Sequence, residues 1–419
     1  MMRYPTWMRR ARIVAAASIW ACAGAALGQG PESERGGPAV SPLRAALDAA
    51  WTRSAVQRQA LARQHLARAE KARAESPWSS QPALEWSQRE EHSSNGPSPR
   101  ELGASVAMPL WWPGQRSAAQ QTAQSSLNLA QASERVLRLE LADTLRLLVW
   151  DWAQAQAEAE LAHEQAMGLQ RLTEDVERRV AAGDLALTDA LAARSEERAA
   201  QVEHRQRLTQ VQALRSRWTN LTGLADAPPS LPEPTSRAGW LEREVHPQFA
   251  EAEQAAQTAR YRLDLTKRSA REPAQISLGV RRDTAALNGL QSQSLLVGLR
   301  VPLGAPARQR WLEAAVQSEL DAALIEQERL RERLLRERED ARAALESAAL
   351  QYRLQHERAR LLQDRAQLIE KAFRLGENSL PETLRARAAA AVAQAEAARQ
   401  YAAWGRAQAR LETLLGLLP

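Results

Sequence analysis

The chain has 419 residues, with 56 Lys and Arg against 50 Asp and Glu, and is 44% hydrophobic but only 5% aromatic. Of the formal charge of +6, four positives (Arg3, Arg9, Arg10, Arg12) stand within 1–28 without an acid; the remaining charges interleave as on solvated helix faces, which excludes a phosphate-binding stripe and with it nucleic acid. The single cysteine, Cys22, excludes a disulfide framework.

Residues 1–28 read as a secretory signal peptide: Arg9, Arg10 and Arg12 precede an apolar run over 13–21, then small residues around Ala23, Ala25 and Gly28. Cys22 is a candidate for lipid attachment, but bulky Trp20 beside it favours ordinary cleavage. Residues 29–41 form a loose N-terminal extension. No later stretch has the roughly eighteen uninterrupted apolar residues of a membrane-spanning helix. The exported product is therefore expected in the periplasm, outside the cell, or in the outer membrane as strands.

A first helix is expected over 42–75, opened by Pro42, which suits a first helical turn, with Leu43, Ala46, Leu47, Ala50 and Trp51 at helical spacing. Strands at 83–89 and 102–110 follow, separated by a polar turn containing Asn95-Gly96. In the second, Leu102, Ala104, Val106, Met108 and Leu110 alternate with Gly103, Ser105, Ala107 and Pro109. Its length of about nine residues suits a tilted strand crossing a bilayer, and a soluble sheet has the same period. The sequence leaves both readings open.

A helix over 116–182 then has 67 residues, about 100 Å at 1.5 Å per residue. Gly183 breaks it, and a second helix covers 188–221. The 33 residues of 43–75 and the 34 of 188–221 together equal the 67 of the long helix, so two half-helices stacked end to end would match one full-length stave. Leu137, Leu141, Leu145 and Leu148 form a narrow apolar stripe of the kind that packs in coiled-coil fashion.

After a Pro-rich linker at 225–245 the whole pattern returns. Pro109 and Pro113 pair with Pro302 and Pro306, Gly183 with Gly376, and Gly223 with Gly416, each 193 apart (302 − 109, 306 − 113, 376 − 183, 416 − 223). The turn Asn95-Gly96 has its partner in Asn288-Gly289 at the same spacing. Strands are expected at 275–281 and 294–301. Such register signals two structural repeats, 42–224 and 246–419, rather than a small stacking module. Four strands cannot close a barrel by themselves.

No catalytic constellation, phosphate loop or nucleophile elbow is present. His65, His92, His163, His204, His246 and His356 show no ligand spacing, so neither a metal site nor a cofactor is expected. Glu326, Arg329, Glu332, Arg333, Arg336 and Glu337, at helical spacing, are expected to make surface ion pairs.

The leader, the two repeats of helix, strand pair and long hairpin, the Pro109–Arg116 junction (Pro-Leu-Trp-Trp-Pro-Gly-Gln-Arg) and the hairpin tip at 178–191 together resemble the TolC-like outer membrane efflux proteins over nearly the whole mature chain. The junction is most similar to the branch serving cation and heavy-metal pumps. The resemblance implies a homotrimer, mainly α with a small β part, in which three chains give four strands each to a 12-stranded barrel in outer membrane lipid, continued by a periplasmic helical barrel. It implies a passive exit duct working with a periplasmic adaptor and an inner-membrane transporter, in efflux or type I secretion. A reading of another class is a periplasmic coiled-coil adaptor or scaffold, which would usually carry one hairpin rather than two.

By matching positions the resemblance places the adaptor contact at Ala182, Gly183, Asp184 and Leu185 and at Leu375, Gly376, Glu377 and Asn378. It makes Asp189 and Glu382 gate acids, each six residues past its glycine (189 − 183, 382 − 376). The second tip departs from the family pattern at Asn378, where an arginine latch partner is expected. Asp189 and Glu382 also fit plain helix starts, and Ser379 to Glu382 is a capping-box pattern. Trp111 and Trp112 fit either a membrane edge or packing at the strand-to-helix corner.

Overall fold

The computed structural model describes residues 42–90, 100–225, 246–284, 291–304 and 306–419. The expected leader, extension, linker beyond Ala225 and both Asn-Gly turns lie outside them. The elements are α1 (Pro42–Arg53), α2 (Ala55–Glu75), β1 (Ala83–Glu90), β2 (Arg100–Leu110), α3 (Gln115–Ala181) and α4 (Leu187–Thr222). Then come α5 (Pro247–Arg268), β3 (Ala274–Thr284), β4 (Gln291–Arg300), α6 (Pro306–Arg374) and α7 (Leu380–Leu414). The protein is mostly helical with one small antiparallel sheet. Every expected strand is present, one to three residues longer at its loop end.

The helix expected over 42–75 is two helices. Ser54 takes an extended conformation (φ −71°, ψ 145°) and its Oγ accepts the Gln57 amide at 3.1 Å, capping α2. Serine competes for backbone amides more effectively than it propagates a helix, so the break falls there. It falls one repeat length before Pro247, where α5 begins (247 − 54 = 193). The expected end-to-end match changes accordingly. α1 lies beside the end of α4, with Leu43, Leu47 and Ala50 packed on Leu145 and Val149 of α3 and on Trp218 of α4. It is α2, not α1, that continues the line of α4 along α3: Gln64 donates to Glu134 at 2.6 Å and Lys71 to Gln124 at 3.0 Å.

Alanine dominates the buried positions, so the helices meet along narrow seams. On α3 the stripe runs through Val136, Leu139, Ala142, Leu145 and Val149, while the expected Leu137 and Leu141 are only half-buried. In the second repeat Phe249 of α5 and Leu411 and Leu414 of α7 pack on Leu330, Leu334 and Leu345 of α6. Gly405 lets α7 approach α3, since a Cβ there would stand 2.3 Å from the Trp150 ring. Beside the Trp150–Tyr401 ring contact, the α3–α7 seam carries polar pairs: Thr413 donates to Asp143 at 2.7 Å, and Arg146 meets Glu412 at 3.1 Å, Arg406 meets Asp151 at 3.1 Å and Arg399 meets Glu158 at 3.0 Å. Burial lowers the Arg146 guanidinium from its usual range, and Glu412 and Asp143 oppose the shift. Arginine stays charged in proteins, so the pair is an ionic one. Of the expected surface pairs, Arg333 meets Glu326 and Arg336 meets Glu332, both at 3.6 Å, while Glu337 pairs instead with Arg410 of α7 at 3.0 Å.

Candidate functional site

The four strands form one sheet in the order β1-β2-β3-β4, with both repeats contributing to the central β2–β3 pair. Residues directly opposite one another in an antiparallel ladder share a face. The register aligns Leu84, Val106, Leu278 and Val297 in one row, and Trp86, Ala104, Val280 and Leu295 in the next. The other face carries Glu85, Ser105, Gly279 and Leu296, then Ser87, Gly103, Arg281 and Ser294. One face is thus apolar across all four strands and the other is mostly small and polar.

The apolar face is the exposed one: Leu84 is 78%, Leu295 74% and Val297 71% accessible. A water-facing sheet buries that set, because a patch of this size costs free energy in water. The small face is crowded. A Cβ on Gly279 would stand 2.6 Å from Ser105 Cβ, and Cβ atoms on Gly103 and Gly298 would meet the hydroxyls of Ser87 and Ser277. Glycine opposite serine on three successive strand pairs lets the sheet curl toward that face. Among the described residues the outer edges of β1 and β4 have no strand partner.

Where the sheet joins the helices, the indole of Trp111 donates to the Ser76 carbonyl at 3.0 Å and that of Trp112 to the Glu272 carbonyl at 2.9 Å. Arg271 lies over the Trp112 ring at 5.9 Å. Both tryptophans therefore pin the strand-to-helix corner.

At the opposite end of the long helices are the two tips. Gly183 (φ 85°) and Gly376 (φ 80°) end α3 and α6 in the left-handed conformation. A Cβ at either position would meet nothing within 4 Å, so the requirement for glycine is conformational rather than steric. Asp184 donates its amide to the Arg179 carbonyl at 2.9 Å and Glu377 donates to that of Ala372 at 2.9 Å. The tips are joined through Arg179, which donates to the Phe373 carbonyl at 3.1 Å and the Arg374 carbonyl at 3.0 Å and covers the buried Phe373 ring. Ala182, Gly183, Asp184, Leu375, Gly376 and Glu377 are exposed, whereas Leu185 and Asn378 are half-buried. Leu187 and Leu375 add apolar exposure of 68% and 67%.

The two acids behave differently. Asp189 accepts the Ala186 amide at 3.3 Å, one half of a capping box; alanine has no side-chain oxygen to make the other half. Glu382 does not cap. Its carboxylate pairs with Arg365 at 3.4 Å and Arg385 at 3.1 Å. The reason lies one repeat away, where the positions of those arginines hold Leu172 and Ala192 (365 − 193, 385 − 193). The capping-box reading of Ser379 to Glu382 is corrected on this point: Ser379 makes no side-chain cap, and Asn378 accepts the Ser379 amide at 2.8 Å.

Glu158 carries no signal in the sequence. Its carboxylate is 3% exposed and held by Arg207 of α4 and Arg399 of α7, tying both hairpins to α3. Its partners are 49 and 241 residues away (207 − 158, 399 − 158), and no local pattern signals such a pair. Among the described residues no group of three or more His, Cys, Asp or Glu is placed to hold a metal ion, and no helix is long and apolar enough to cross a membrane.

No protein-family profile matches the chain, and no curated protein does. Solved structures do. The chain is similar to CusC, a structure described for folding and transmembrane channel formation, with a TM-score of 0.74 and 16% identity over 89% of this chain and 92% of that one. It is similar to the outer membrane protein VceC of Vibrio cholerae (TM-score 0.71, 16% identity, 89% of this chain, 96% of that one). It is also similar to the MtrE outer membrane channel of Neisseria gonorrhoeae (TM-score 0.68, 15% identity, 89% and 88%). The chain has the fold of these outer membrane channels.

Proposed function

We propose that this chain, having the fold of the TolC-like outer membrane channels, is the outer membrane component of a tripartite efflux or type I secretion system. Three copies enclose a duct, their sheets closing into a 12-stranded barrel in lipid and their helices into a periplasmic tunnel. The observation that carries the reading is the register of the sheet, which turns one exposed apolar face outward across four strands and leaves two edges to be paired. Lipid is the environment in which that face is stable, and a closed barrel is the only sheet without open edges there. An adaptor or scaffold has no use for such a sheet. The duct is passive, and an inner-membrane transporter supplies the energy.

The junction Trp111 to Arg116 supports a cation or heavy-metal pump as the partner. The paired tips at Ala182–Leu185 and Leu375–Asn378 are the surface offered to the periplasmic adaptor, and Asp189 and Glu382, repeated around a three-fold axis, are the gate acids: Asp189 supplies a carboxylate ring that favours cations, whereas Glu382 is latched to Arg365 and Arg385. Fractionation and crosslinking test the assembly: a heat-sensitive trimer in the outer membrane is expected, and a soluble monomer would refute it. For the gate acids, Asp189→Ala with Glu382→Ala changes conductance or cation preference in planar bilayers, and unchanged values leave those acids a local role at their helix starts.

A further inference from the structure

The fold brings together two histidines that the sequence keeps 41 residues apart (204 − 163): His163 of α3 and His204 of α4. Their ring centroids are 4.9 Å apart and their planes are tilted by 48°. Neither ring hydrogen-bonds to another described residue, and both are accessible, His163 exposed and His204 half-exposed. With metal–nitrogen bonds of about 2.0–2.1 Å, two imidazoles sharing one ion bring their ring centres to about 5 Å. The centroid separation of this pair already matches that value. The backbones are fixed nearby, because Glu158, five residues before His163, is bound by Arg207, three residues after His204.

The geometry points to a two-histidine site for a borderline divalent transition ion, with water completing the shell. Imidazole nitrogen selects copper, nickel or zinc over calcium and magnesium, and copper binds most tightly among them. An ion there ties α3 to α4 midway along the first hairpin. The second hairpin supplies an internal control: His163 has its repeat partner in His356 (356 − 163 = 193), which lies against Tyr352, while His204 is matched by Ala397 (397 − 204 = 193). One site per chain is therefore expected, and it is independent of whether the chain forms a duct.

The test is titration of the full chain, purified without a histidine tag, with Cu(II) followed by electron paramagnetic resonance. We expect one copper bound per chain with two imidazole nitrogens in its coordination. His204→Ala should weaken binding at least tenfold, whereas His356→Ala should leave it unchanged. Zn(II) should raise the melting temperature of the parent chain but not of His204→Ala. Copper uptake and spectrum unaltered in the His163→Gln, His204→Gln double variant would overturn the proposal, as would failure of the folded parent chain to bind copper.

Discussion

Leu145 and Leu411 in the helical body are fully buried, whereas Leu84, Leu295 and Val297 in the sheet, equally apolar, are largely exposed. Both regions are amphipathic, but in opposite senses. The helices turn their apolar stripes inward onto one another and their Arg and Glu outward; the sheet turns serine and glycine toward its crowded side and leucine and valine away. On the proposed reading the two regions suit different surroundings, water for one and hydrocarbon for the other.

The largest effect is expected in the helical body. Trp218 is 1% exposed at the point where α1, α3 and α4 meet, and Trp218→Ala should cost about 3–5 kcal/mol, read by denaturant unfolding of the purified chain. On the sheet, Val297→Arg should cost about 2–4 kcal/mol in a bilayer and lower the yield of assembled protein in outer membranes. Leu296→Arg, one residue earlier on the opposite face, should leave that yield nearly unchanged. At the tips, Gly183→Ala or Gly376→Ala should each cost about 1–2 kcal/mol for a left-handed residue, seen as a lower melting temperature. Asp189→Ala removes the first-turn carboxylate that accepts the Ala186 amide, which costs about 0.3–1 kcal/mol of stability.

The smallest effect is pH-dependent. Burial lowers the pKa of His246, whose Nε2 lies 3.2 Å from the Thr413 carbonyl. The unfolded chain then binds the proton more readily than the folded one. The stability contributed is full above the unfolded value of about 6.5 and is lost as pH falls below it. His246→Gln should flatten that part of the stability profile.

Much of this architecture was legible because backbone requirements leave marks in sequence. Gly183 and Gly376 had to be glycine for their positive φ, and the 193-residue spacing exposed both turns together with Gly223 and Gly416. Alternation gave the strands to within three residues. What stayed hidden depended on partners distant along the chain. Ser54 lies inside a continuous helical pattern, and its role as the cap of α2 is visible only in the extended backbone and the Gln57 hydrogen bond of the structure. Whether Asp189 or Glu382 would cap its helix depended on arginines at 365 and 385 that one repeat has and the other lacks. The meeting of His163 with His204, and of Glu158 with Arg399, follows from helix pairing alone.

If the two faces of the sheet see different media, adjacent positions on β4 differ in their access to water. In a chain whose native Cys22 is replaced, Leu296→Cys and Val297→Cys are introduced separately and treated in intact outer membranes with a charged, membrane-impermeant thiol reagent. Labelling is expected at 296 and protection at 297, with the same alternation at 294 and 295. Equal labelling at 296 and 297 would contradict it, because both faces would then be meeting water.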